Sequence, residues 1–285
     1  MLEQHLRWDY ACPSEFSSWS SSLLFVLRHA VRKKYCDLAK NVCIYVLDSR
    51  KSVNNSIYPA TSLLQVYEVK SEKKLRHEYY ATEYLLHGAL ENANSFSVVA
   101  LEILERQGLY QQFPELNEER RSEDLYLRVL YLRRLFFGRT WTVTDEEVKA
   151  LRKMAECFSD DELVVPVTAA LLSLRRRGNL KDNVLEKILI GSGRTRFPQW
   201  TPFDVAGFEK LQSEAGNIHE VSEFAGLLQR LYDIKIRQDR QQTDHVLGSF
   251  QMLSCKYPVV SYRRKGAHQD PFQSSQAMRS LPQVI

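Results

Sequence analysis

The sequence predicts an α+β protein, with a small mixed α/β part at the N-terminus packed on a mainly α-helical C-terminal half. Three observations carry that reading. The run "VCIYVLD" at 42–48 is β-branched and apolar throughout, as a strand buried on both faces would be. From about residue 98 the apolar positions recur at helical spacing. Helix-start signatures then multiply, with Thr144 three residues before Glu147 and Ser159 three before Glu162. The expected organisation is a mixed α/β domain over 1–97 and a helical region over 98–252 packed on it, since "ENANSFS" between them is only a turn. A tail over 253–285, polar and broken by prolines, is expected to be disordered.

The elements follow in chain order. A first helix is predicted over 21–34. Leu23, Leu24, Leu27, Ala30 and Val31 form its apolar stripe, Ser20 or Ser21 is its N-cap, and Arg32, Lys33 and Lys34 complement the dipole at its end. The 42–48 strand should be central in its sheet. "SLLQVYEV" is open between helix and strand, and "EYLLHGAL" at 83–90 reads as a second strand opened by a carboxylate. A helix over 98–107 should stop at Gly108. Another carries Leu125, Val129, Leu132 and Phe136, and a third runs from Thr144 to Phe158. Pro166 forces a kink or a restart, Thr201-Pro202 opens a further helix, and a long one covers 220–251.

Composition excludes several classes. With 44% hydrophobic and 26% charged residues the chain is too apolar to be disordered. A net charge of +4, from 39 basic and 35 acidic side chains, gives no reason to expect an anionic polymer or membrane as partner. No apolar run reaches the roughly 18 residues of a membrane span, and "MLEQHLRWDYACP" has no signal-peptide core. Five scattered cysteines without a C-x-x-C pair suit reduced thiols in an intracellular protein, cytoplasmic or nuclear. No metal site is expected, because His77 and His87 lie ten residues apart, a spacing without ligand logic. There is no phosphate-binding loop, "GSGRTRF" lacks the third glycine of a dinucleotide fingerprint, and no G-x-S-x-G elbow occurs. The basic clusters "LRRRGNLK" and "YLRRLFFGR" are short and lie at helix ends, so nucleic acid is not the expected partner.

One constellation carries chemistry. "HLRWDYACPSEFSSWSSSLLFVLRHAVRKK", the run "VCIYVLD" and "HEYYATEYLLHGALENANSFSVVALEILERQGLYQQFPEL" together resemble an uncharacterised fungal domain family over about residues 5–116. That family in turn resembles the ADP-ribosyltransferases. In that superfamily a Ser-Thr-Ser motif ends one strand and the catalytic glutamate opens a later one. The resemblance implies Ser20 and Ser22 on the ribose side of NAD and Glu83 as the catalytic carboxylate. Tyr80, like its neighbour Tyr79, is an aromatic able to stack on nicotinamide. A carboxylate fixed there would stabilise the oxocarbenium-like charge that develops as the nicotinamide–ribose bond breaks.

The pattern departs from the superfamily at Ala81, where arginine-directed members carry Glu or Gln. A first strand bearing an Arg or His grip is also expected to be missing, leaving His5 and Arg7 as the nearest substitutes. The residues by themselves require no cofactor; NAD is the one the resemblance implies. Two readings follow. The leading one is a non-catalytic binding or interaction module with a protein partner. The other is an NAD-dependent transferase using Glu83 with Ser20 and Ser22.

Overall fold

The computed structural model describes residues 2–7, 14–51, 57–70, 77–88, 96–117, 124–178, 180–190, 202–214, 216 and 218–256. The expected tail lies outside them, apart from 253–256, which are helical. The chain forms two compact units, Met1–Asp239 and Arg240–Ile285. Of the second, the described residues are 240–256, the end of the last helix.

The first part contains α1 (Leu2–Leu6), β1 (Phe16–Ser20), α2 (Leu23–Tyr35), β2 (Cys43–Leu47), β3 (Ile57–Pro59), α3 (Ala60–Val66), β4 (Glu83–His87) and β5 (Phe96–Ala100). Helices follow: α4 (Leu101–Arg106), α5 (Leu109–Gln112), α6 (Leu125–Phe137), α7 (Asp145–Ala155), α8 (Val164–Leu172), α9 (Asp182–Ile190), α10 (Pro202–Glu214) and α11 (His219–Lys256). The fold is α+β with a helical C-terminal half.

The strands form two separate antiparallel sheets, β1-β4-β3 and β2-β5. Residues directly opposite in an antiparallel pair share a face. Phe16, Ser18 and Ser20 of β1 therefore lie on one face with His87, Leu85 and Glu83 of β4. That face is covered by α1 and α3, and Leu6, Ala60, Leu64, Tyr80 and Leu85 form its small apolar core.

The run at 42–48 is not a central strand, which corrects the sequence reading. Among the described residues β2 pairs with β5 alone, in register Tyr45↔Val98. Its inward residue Ile44 is buried with Val99, whereas Tyr45 is 50% and Val98 40% exposed on the other face. Uniform apolarity looked two-sided because the outer face of this ribbon is apolar as well. The helix expected over 98–107 begins only at Leu101, since 98–100 complete β5. Gly108 follows the end of α4 with φ +101°, a left-handed position glycine takes without strain. "SLLQVYEV" resolves as the helix α3.

The caps differ in detail. The cap of α2 is Ser22, not Ser20 or Ser21, and its Oγ accepts the Phe25 amide at 3.2 Å. The helix starts later than expected because β1 runs through Ser20, whose Oγ accepts the Ser22 amide at 3.1 Å. Thr144 caps α7, accepting from the Glu147 amide at 3.2 Å. Ser159 does not repeat the device. Asp160 caps the short turn Asp161–Leu163, while the Ser159 amide donates to Ser97 Oγ at 3.0 Å. Pro166 sits in the first turn of α8, where a missing N–H breaks no helical bond. Thr201 lies outside the described residues; Pro202 is the first residue of α10.

The large core joins Leu24, Leu27 and Val31 of α2 and Ile44 of β2 to Val129 and Phe136 of α6, Leu151 and Met154 of α7, Leu172 of α8 and Leu231 of α11. One carboxylate is buried at its margin. Glu220, 2% exposed, accepts Ser22 Oγ–H at 2.6 Å and Arg133 Nε at 2.9 and 3.1 Å. Ser22 thus has two structural duties, a cap and a donor to a buried charge. Ser22→Ala should cost about 2 kcal/mol, the upper end for a lost cap, because an acceptor is left short of a donor. Ser21→Ala should cost less than about 0.5 kcal/mol, as for a surface change. Urea unfolding of both variants measures the difference, and equal costs would contradict the assigned cap.

Candidate functional site

β1 and β4 bring the serine segment and Glu83 to one sheet edge, because the last residue of β1, Ser20, stands opposite the first residue of β4. The two side chains nevertheless have different partners. Ser20 Oγ donates to Thr82 Oγ1 at 3.3 Å. The Glu83 carboxylate accepts Ser18 Oγ–H at 2.5 Å, and Ser18 Oγ lies 3.0 Å from His5 Nε2 on α1. An imidazole–hydroxyl–carboxylate chain is the result. Phe16 flanks it, with its ring edge-on to His5 at 5.9 Å and to His87 at 5.5 Å.

The electrostatics follow from α1 covering this face. Burial pushes the Glu83 carboxyl above its ordinary value, and the Ser18 hydrogen bond offsets part of that. Burial likewise lowers the His5 imidazole. Tyr80 is pushed up to about 12 by burial, with the Glu83 charge adding to it. Its hydroxyl donates to the Leu6 carbonyl at 3.0 Å, and the residue is buried.

Of the residues proposed for NAD, Ser20 and Glu83 are thus adjacent, Tyr80 is a buried tether for α1, and Ser22 is fully buried against Glu220. Tyr79 is exposed instead, its ring 4.3 Å from that of Tyr126. Arg7 bonds Glu3 one turn back, at 2.6 Å. Ser18 was missed by sequence reasoning. A period-two reading of "FSSWS" as a strand would have placed it on the face of Ser20. The sequence offered His5 as a substitute for the missing grip, without its bond to Ser18, and Glu220 carries no local signal.

Part of the basic clusters is internal. In "LRRRGNLK", Arg175 pairs with Glu115 at 3.0 Å and Arg177 with Glu147 at 2.6 Å, and both arginines are buried. The Arg175 guanidinium also lies 4.1 Å from the Trp141 ring centroid and 5.0 Å from that of Phe113. Among the described residues no group of three His, Cys, Asp or Glu could hold a metal ion, and no helix is long and apolar enough to cross a membrane.

Residues 1–97 match a family described as "Domain of unknown function (DUF7587)". No curated protein matches the chain. No solved structure matches it either.

A raised folded-state pKa for Glu83 fixes the sign of its contribution to stability. The folded protein holds the proton more tightly, so this contribution is full below the ordinary carboxyl value of 4.5 and is lost as pH rises through the folded value. Glu83→Gln should remove that decline and leave stability at pH 7 equal to or above wild type, because the amide oxygen still accepts from Ser18. Unfolding free energies from pH 4 to 8 check this. A variant clearly less stable than wild type at pH 7 would overturn the assignment.

Proposed function

We propose that residues 1–97 form a non-catalytic binding or interaction module of ADP-ribosyltransferase-like descent, with a protein as its partner. The observation that carries this is the commitment of the implied cofactor residues to the fold. Ser22 Oγ caps α2 and bonds Glu220 with no exposed surface, and Tyr80 is spent on the Leu6 carbonyl. A ribose or nicotinamide would have to displace those bonds. α1 further lies on the face that carries Ser18 and Glu83.

A second reading, NAD-dependent ADP-ribosyl transfer through Glu83, draws on one observation. Glu83 is a half-buried carboxylate at the end of a His5–Ser18 chain, so an imidazole, the kind of group the superfamily uses to grip its cofactor, is bonded into the same cluster. Calorimetric titration of the full chain with NAD separates the two. The module reading expects no NAD binding that depends on Ser20 or Glu83 and no release of nicotinamide. Saturable binding lost in both Ser20→Ala and Glu83→Gln would establish the transferase reading instead.

The helical region from residue 98 is proposed to pack on the 1–97 part as one folding unit. Support comes from the single core that Leu24, Leu27 and Ile44 share with Val129, Phe136 and Leu151. Limited proteolysis between residues 89 and 95 should yield fragments that stay associated and unfold in one transition. Release of two separately folded pieces would refute the packing.

A further inference from the structure

We propose that the cleft between the end of α6 and the start of α11 binds a phosphorylated planar ligand of mononucleotide size. The cleft has a volume of about 380 Å³ and is lined by Leu130, Arg133, Arg134, Phe137, Gly138 and His219. That falls within the roughly 300–1,000 Å³ typical of small-molecule sites. Its lining has an apolar part and a cationic part, the two that such a ligand requires.

The apolar part is Leu130 with Phe137. The His219 imidazole stacks on Phe137 with centroids 5.2 Å apart and planes at 29°. A planar ring placed against this pair would continue an offset stack, the arrangement aromatic quadrupoles prefer. Gly138 contributes no side chain to the rim, and a Cβ built there would lie 2.7 Å from the Arg134 carbonyl oxygen. That Cβ would press on the last turn of α6, so a side chain at this position requires the backbone to shift.

The cationic part is two adjacent arginines with different duties. Arg133 is held by Glu220, its Nη2 at 2.8 Å from the carboxylate, so its charge is neutralised and its position fixed. Arg134 is exposed and has no ion-pair partner among the described residues. Its guanidinium is therefore available as a fork of donors matched to phosphate oxygens, and the His219 ring lies in the same cleft. The "YLRRLFFGR" segment, too short for a nucleic-acid surface, thereby supplies the cation of a small-molecule cleft. Ser22 stands behind this wall, 3.4 Å from Arg133 Nη2, and does not line the cleft.

Calorimetry on the full chain with AMP, adenosine and inorganic phosphate tests the proposal. AMP should bind, and adenosine and phosphate should each bind at least about tenfold more weakly, since each lacks one of the two contacts. Arg134→Gln should weaken AMP about tenfold, the scale of one charge-assisted hydrogen bond, and Arg134→Glu should abolish binding. Arg134→Gln should unfold like wild type, because among the described residues its side chain bonds no other group, and Arg134→Glu should remain folded with only a small loss of stability from an anion in the last turn of α6. Glu83→Gln should leave AMP binding unchanged. No AMP binding up to millimolar concentration would overturn the proposal. So would AMP binding indifferent to Arg134, or binding lost in Glu83→Gln, which would move the ligand to the β1–β4 edge.

Discussion

The buried Glu220 carboxylate is the constraint on which the arrangement of the first third depends. A charge with 2% exposure is tolerable only if its oxygens are satisfied, and they are met by Arg133 and by the Ser22 hydroxyl. Those two donors come from α6 and from the cap of α2. The position of α2 is therefore fixed by helices far along the chain. Ser20 is tied to the Ser22 amide, so the end of β1 is fixed as well, and with it the register that sets Ser20 opposite Glu83. The candidate edge inherits its geometry from a salt bridge it does not contain.

Local chemistry was legible where a local contact decides the outcome. Thr144 could be read as a cap because its partner, the Glu147 amide, lies three residues away. Glu83 could be read as the start of a strand from the apolar run behind it. The serine segment was read two residues short. Serine signals a cap so strongly that "FSSWS" was not recognised as a strand, and the helix was begun at residue 21, directly after it and two residues before Leu23. The 42–48 run failed for another reason. A ribbon with one buried face and one apolar exposed face has the same composition as a strand covered on both sides, and only the partner strand tells them apart.

The candidate site was legible in part for the same reason. Glu83 and Ser20 were set at one site by the resemblance, not by any strand read at 16–20, and the pairing of β1 with β4 does bring them to one edge. Their working partners come from elsewhere: His5 from the first helix, and Ser18 from the face alternation of a strand that had not been recognised. The cleft at Arg134 had no sequence signature beyond a basic cluster. What makes it a cleft is the approach of His219 to Phe137 from a helix more than eighty positions on.

The bond between Ser22 and Glu220 spans 198 positions, and that has a consequence for synthesis on the ribosome. Translation proceeds at roughly 5–20 residues per second, so the N-terminal strand and helix emerge on the order of ten seconds or more before Glu220 does. Until then the cap of α2 lacks its buried partner, and Leu24, Leu27 and Val31 lack the helices that cover them. The first third is made before the helices that complete it and is among the last to reach its final packing. Its apolar stripe is the segment a chaperone would meet during that interval.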